Sequence, residues 1–203
     1  TTSKAATCQG STRLRLDLAV IGGTGLYRLA ALEDEASFEG DTIYGSPSAP
    51  VRVGTIAGRR VAFLARHGEA HSVPPHLVNY RANLRRLADL GAQRVLAINA
   101  VGGITERFGP RVLAVPDQII DYTHSRKGTF FEGSEMPVMH VDFTQPYTPA
   151  LRARLLAASA TCGEPVADGG VYACTQGPRL ETAAEIERIA RDADPRVVQG
   201  MAS

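Results

Sequence analysis

Short apolar runs bounded by glycine, proline or charged clusters alternate along this chain with stretches of helical period. Residues 16–21 read as a buried strand, and 51–56 and 60–65 flank Ala57-Gly58-Arg59 as the two arms of a hairpin. The spacing predicts an amphipathic helix over 77–90, with Leu77, Tyr80, Leu84 and Leu87 on the apolar face. Arg81, Arg85 and Arg86 face outward there, and Gly91 ends the helix. A strand over 95–98 follows through a short turn. Strand-like runs at 112–115 and 118–120 are separated by Pro116, which bars one unbroken central strand. Residues 121–146 carry Gly, Ser, Pro and aromatics without periodicity and read as a long loop, with 33–35 earlier as a charged turn. Thr148-Pro149 opens a helix to about 160, with the threonine as cap. A strand over 170–175 runs into Gly177-Pro178-Arg179, and Thr182-Ala183-Ala184-Glu185 is a capping box for a helix to about 193. A last strand starts at Val197-Val198.

Strands alternating with helices predict an α/β fold: a single domain over 12–203, with a central twisted mixed β-sheet flanked by helices, behind a flexible tail at 1–11. A chain of 203 residues suits one domain with a sizeable core. The final strand has no helix after it before Ser203, so the expected fold lacks its C-terminal part in this chain.

Charge narrows the partners. A net charge of +1 gives no general attraction to nucleic acid or to an anionic membrane. Cys8, Cys162 and Cys174 are odd in number and lack CxxC spacing, which argues against a disulfide framework or a zinc site and for a cytoplasmic location. His71 and His76, separated by Pro74-Pro75, cannot share a helix face as metal ligands.

Three of the strand-like runs end in residues suited to an oxyanion. The first meets Gly22-Gly23-Thr24-Gly25, the second Arg66-His67-Gly68, and the third Asn99-Ala100-Val101-Gly102-Gly103. Ligands of open parallel sheets bind beyond the carboxyl ends of the strands, where glycine turns offer N–H groups and arginine offers charged donors. This is a recipe for phosphate. Each piece alone has a plainer reading, as a tight βα turn, a surface Arg-His pair or a strand-to-loop turn. The glycine turn is followed by a short segment over 26–32 rather than a regular helix, and the acids that follow sit in a charged turn, which argues against nicotinamide binding. Arg66-His67-Gly68-Glu69 also matches the signature of histidine phosphatases, where it ends the first strand; here it follows another strand and a hairpin.

Taken together, Gly22-Gly23-Thr24-Gly25, Arg66-His67-Gly68 with His71, Val78-Asn79-Tyr80-Arg81-Ala82-Asn83, Asn99-Ala100-Val101-Gly102-Gly103 and Gly177-Pro178-Arg179-Leu180-Glu181-Thr182 resemble the trimeric purine nucleoside phosphorylase superfamily. The match is strongest to its methylthioadenosine/methylthioinosine phosphorylase branch. The resemblance implies that Thr24, Arg66, His67, Asn99 and Ala100 line a phosphate site, with Ala100 acting through its backbone. It implies that Leu180 and Glu181 contact the base or set purine preference and that Met201 packs under the ribose; for a methylthio substrate, His71 in its loop is a candidate for the rim of the apolar pocket. The stretch Asp117-Gln118-Ile119-Ile120-Asp121-Tyr122-Thr123 leans toward the methylthioinosine type. The implied reaction is phosphate-dependent cleavage of the N-glycosidic bond of S-methyl-5'-thioinosine or 5'-methylthioadenosine, by a homotrimer with no cofactor, no metal and no covalent nucleophile. A general purine nucleoside phosphorylase, a histidine-type phosphatase and an inactive subunit of the same fold are the rival readings. The family usually places threonine where this chain has Ala202.

Overall fold

A computed structural model describes residues 13–132, 137–193 and 197–201, the last of these as backbone. Two compact units emerge: one built on the residues up to Ala100 together with Lys127–Phe130, the other on Val101–Arg126 and the described residues from Phe131 onward.

The first unit is a five-stranded mixed sheet. β1 (Leu18–Gly22), β2 (Glu33–Phe38), β3 (Val51–Ile56), β4 (Arg59–Ala65) and β5 (Val95–Ile98) line up in the order β2-β3-β4-β1-β5. β3 and β4 form the expected hairpin, whereas β1 runs parallel to both β4 and β5. Side chains alternate across such a sheet, and both faces of its central strands are buried. Ala19, Ile21, Ala62 and Leu64 pack on one face with Val51, Val53, Leu87 and Leu90. Val20, Val61, Phe63 and Ala65 pack on the other, beneath Leu26, Leu29 and Leu32. The short segment after the glycine turn is therefore the cover of the second face.

Helix α1 (Tyr80–Asp89) starts three residues later than its periodicity suggests. Pro75–Leu77 form a 3₁₀ turn, and Asn79 caps the helix by accepting a hydrogen bond from the Ala82 N–H at 3.1 Å. Its buried stripe is Ala82, Asn83 and Leu87, while Leu77 is 66% exposed and Leu84 39%. The expected apolar face is thus rotated, because a buried asparagine holds the centre of the contact. Asn83 accepts from the Ser48 N–H at 2.7 Å and donates to the Ser48 hydroxyl at 3.0 Å, so its polarity is satisfied inside. The expected charged turn at 33–35 is also corrected: these residues open β2, an edge strand paired only to β3 and largely exposed. An edge strand facing water carries no apolar alternation to read.

The second unit holds β6 (Gly102–Gly103), β7 (Leu113–Val115), β8 (Gln118–Asp121), α2 (Pro149–Cys162), β9 (Val166–Asp168), β10 (Val171–Thr175), α3 (Ala183–Asp192) and β11 (Val197–Met201). β6-β11-β10-β8 form a four-stranded sheet and β7-β9 a two-stranded one. β6 and β9 lie where no strand is expected from the sequence, since glycines and a three-residue strand give no hydrophobic pattern. Thr148 precedes α2 with Pro149 at its first turn, yet makes no side-chain cap bond. Thr182 and Glu185 form both arms of the capping box on α3. Val171, Ala173, Ile189 and Ala193 build this unit's core with Ile104, Ile120 and Tyr122 against it. No helix of the described residues is long and apolar enough to cross a membrane.

Candidate functional site

In the first unit the parallel registers decide where the strand ends fall. Gly22 is paired with Ala65 on one side and with Ile98 on the other. The residues that leave these strands, Gly23-Thr24, Arg66-His67 and Asn99-Ala100, therefore emerge side by side at one edge of the sheet. Backbone bonds fix the arrangement: the Arg66 N–H donates to the Gly22 carbonyl at 2.9 Å, and the Gly23 N–H to the Ile98 carbonyl at 3.0 Å. The juxtaposition sought from sequence is present, within one unit.

Arg66 is only 4% exposed, and its guanidinium lies across Gly23 with Nη2 donating to the Ile98 carbonyl at 3.4 Å. A Cβ placed on Gly23 would stand 2.1 Å from that nitrogen. Gly23 is thus a glycine because a charged head group occupies the space a side chain needs. Thr24 and Ala100 are exposed and Asn99 is half-buried, so the rim of the cluster is open while its cationic floor is buried.

His67 is 3% exposed. Its Nδ1 lies 2.8 Å from the Val73 carbonyl, which makes Nδ1 the protonated nitrogen, and Nε2 is buried without a hydrogen-bond partner among the described residues. Burial is the main cause that lowers its pKa, with Arg66 and His71 adding to it and the Val73 bond opposing, so the ring is neutral at pH 7. The bond at Nδ1 leaves the lone pair on Nε2, the buried nitrogen. His71 stacks obliquely on His67 at 5.0 Å between ring centroids and meets Tyr27 edge-on at 5.4 Å. Tyr27 was not singled out from sequence, and a lone tyrosine after a glycine turn gives no signal there. Glu69 is held by Arg52, whose Nη2 lies 2.6 Å from its carboxylate while Nη1 reaches Glu35 at 3.1 Å. This fastens the Arg66–Glu69 turn to β3 and β2.

The second unit contains the other residues named from sequence. Glu181 lines a cleft of about 530 Å³ with Tyr122, His124, Gln176, Arg179 and Arg188. Leu180 is 72% exposed beside it. Met201 ends β11, its backbone paired with Thr175, and its side chain lies outside the described residues, as does Ala202. Arg179 forks onto the Glu185 carboxylate at 2.7 and 2.8 Å, and together with the Thr182 N–H it holds that carboxyl at a pKa of about 2. Gln176 and Arg126, which fix the entry to this loop, were missed because neither residue type has a signature spacing.

Residues 17–203 match the family described as the Phosphorylase superfamily. Over 175 residues the chain is 60% identical to the probable S-methyl-5'-thioinosine phosphorylase of Xanthomonas campestris, covering 86% of this chain and 70% of that protein. It is 45% identical over 174 residues to the 6-oxopurine nucleoside phosphorylase of Pyrococcus furiosus, covering 83% of this chain and 64% of that one. The crystal structure of a methylthioadenosine phosphorylase from an antarctic soil metagenomic library superposes with a TM-score of 0.85 at 35% identity, covering 92% of this chain and 65% of that chain. The chain thus spans about two thirds to three quarters of the length of such relatives. The mixed sheet with three aligned strand ends and the match over nearly the whole sequence lead to one conclusion: the chain belongs to the phosphorylase superfamily.

Proposed function

We propose that this chain carries the phosphate and nucleoside subsites of a purine nucleoside phosphorylase whose preferred substrate is S-methyl-5'-thioinosine. The observation that carries the reading is the alignment of Gly22, Ala65 and Ile98, which brings the segments with Thr24, the buried Arg66, His67, Asn99 and Ala100 out at the same end of the sheet. The relative named for methylthioinosine, at 60% identity, supports the substrate.

In this reading inorganic phosphate sits against the Arg66 guanidinium, the Thr24 hydroxyl and N–H, and the Ala100 N–H. Departure of the purine from C1' builds oxocarbenium-like charge on the sugar. A dianion held below that carbon stabilises the charge and then forms the new C1'–O bond, giving the free base and 5-methylthioribose 1-phosphate. The electron pair of the broken C–N bond leaves on the base, which takes up a proton. Catalysis rests on positioning and electrostatics, and no covalent enzyme intermediate is required. Charge-assisted bonds contribute about 1.5–3 kcal/mol each, so several are needed to hold the anion.

A carboxylate at Glu181 accepts from the N1–H of a 6-oxopurine but opposes the N1 lone pair of a 6-aminopurine, which favours hypoxanthine over adenine as the leaving base. Methylthioinosine, methylthioadenosine, inosine and adenosine, each incubated with and without phosphate and followed by chromatography, test the proposal. Base release that requires phosphate and is fastest from methylthioinosine supports it. Release without phosphate, or preference for adenosine, overturns it.

A further inference from the structure

We infer that Arg126 is a positioning residue for nucleoside recognition: it clamps the start of the loop that presents Leu180 and Glu181, and it does not serve the phosphate subsite. The inference rests on the phosphorylase reading for the role of that loop, while the clamp itself stands on geometry in the second unit alone.

The half-buried guanidinium of Arg126 takes hold of one residue twice. Its Nε donates to Gln176 Oε1 at 3.0 Å and its Nη2 to the Gln176 main-chain carbonyl at 2.5 Å. Gln176 Oε1 also accepts from the His124 N–H at 3.1 Å, so the amide is fixed in orientation by two donors. Gln176 directly follows β10 and directly precedes Gly177-Pro178-Arg179-Leu180-Glu181. The far end of this loop is held separately, by the Thr182–Glu185 capping box and the Arg179–Glu185 fork. Glu181 therefore sits in a short segment tethered at both ends, and Arg126 is the tether at the sheet end. A planar fork holds a side-chain oxygen and a backbone oxygen of the same residue with donors fixed in one plane; a lysine supplies one point charge on a flexible stem.

Loss of a charge-assisted hydrogen bond from Glu181 to the base costs about ten- to a hundredfold in affinity. Arg126→Ala is therefore expected to raise the KM for nucleoside about ten- to a hundredfold, with the KM for phosphate within about twofold of wild type. Gln176→Ala, which removes the side-chain arm and leaves the carbonyl arm, should give a smaller rise, and Arg126→Lys one in between. The double variant Arg126→Ala/Gln176→Ala should be no worse than Arg126→Ala, since both act through the same tether.

The experiment pairs these kinetics with hydrogen–deuterium exchange on the full chain. Faster exchange confined to residues 177–182 in Arg126→Ala, with a selective rise in nucleoside KM, supports the inference. Unchanged exchange in that loop, a rise spread over the whole chain, or equal rises in both KM values overturns it. A wild-type chain that releases no base from any nucleoside defeats the phosphorylase reading, and the exchange comparison still decides whether Arg126 clamps the loop.

Discussion

Replacing Gly23 by alanine adds a single methyl group and leaves every charged residue in place. The new Cβ falls 2.1 Å from Arg66 Nη2 and 2.8 Å from the Ile98 carbonyl oxygen. The carbonyl is backbone of β5 and also accepts the Gly23 N–H, so it yields little. The guanidinium is the end of a flexible side chain and must move. Gly23 does not occupy the left-handed region, so the collision, and not backbone strain, is the perturbation. If Arg66 makes one charge-assisted hydrogen bond to phosphate and loses it, the cost is about 1.5–3 kcal/mol, or about 10- to 150-fold in affinity. Phosphate affinity can be read without catalysis, as the rise of the unfolding midpoint with phosphate concentration, because a ligand of the native state stabilises by RT ln(1 + [L]/Kd). In Gly23→Ala the phosphate-dependent rise should shrink accordingly, and the KM for phosphate should increase by the same factor. A variant that folds and retains wild-type phosphate affinity would refute the assignment of Arg66 to the anion.

Further outcomes follow from the same contacts. Arg66→Ala should weaken phosphate use far more than nucleoside binding; equal loss in both KM values contradicts the site. Leu64→Ala, in the fully buried face of β4, should cost about 2–5 kcal/mol in denaturant unfolding. Asn83→Ala removes the partner of the half-buried Ser48 N–H and should cost about 1–3 kcal/mol by the same measurement, without changing the KM for phosphate. Glu185 has its pKa depressed from 4.5 to about 2 by Arg179 and the Thr182 N–H, so its stabilising effect is complete above pH 4.5 and is lost as pH falls toward 2. Glu185→Gln should therefore flatten the stability loss between pH 5 and about 3 in urea titrations, and an unaltered acid limb would contradict this.

The strands that build the anion cluster were legible because each is an apolar run ending in a chemically distinctive turn. Residues 18–22, 59–65 and 95–98 combine that burial with Gly-Gly-Thr, Arg-His-Gly and Asn-Ala endings. What sequence could not give was register, and register is what brings the three endings together. The edge strand β2 was hidden by its exposure, and the face of α1 was misread because Asn83, a polar residue, sits at its centre with both polar groups bonded to Ser48. Periodicity counts apolar residues and cannot see an asparagine whose hydrogen bonds are met inside. The Arg126–Gln176 tether spans fifty residues and joins two types with no fixed spacing, so only coordinates reveal it. His67 was legible as a residue but not as a tautomer: its commitment of Nδ1 to Val73 emerges from the folded turn.

A crystal grown with inorganic phosphate and hypoxanthine tests the central claim most directly. The account predicts a phosphate in contact with the Arg66 guanidinium, the Thr24 hydroxyl and the Ala100 N–H together, with His67 unmodified. A phosphate bound elsewhere, or a phosphoryl group on His67, would contradict it.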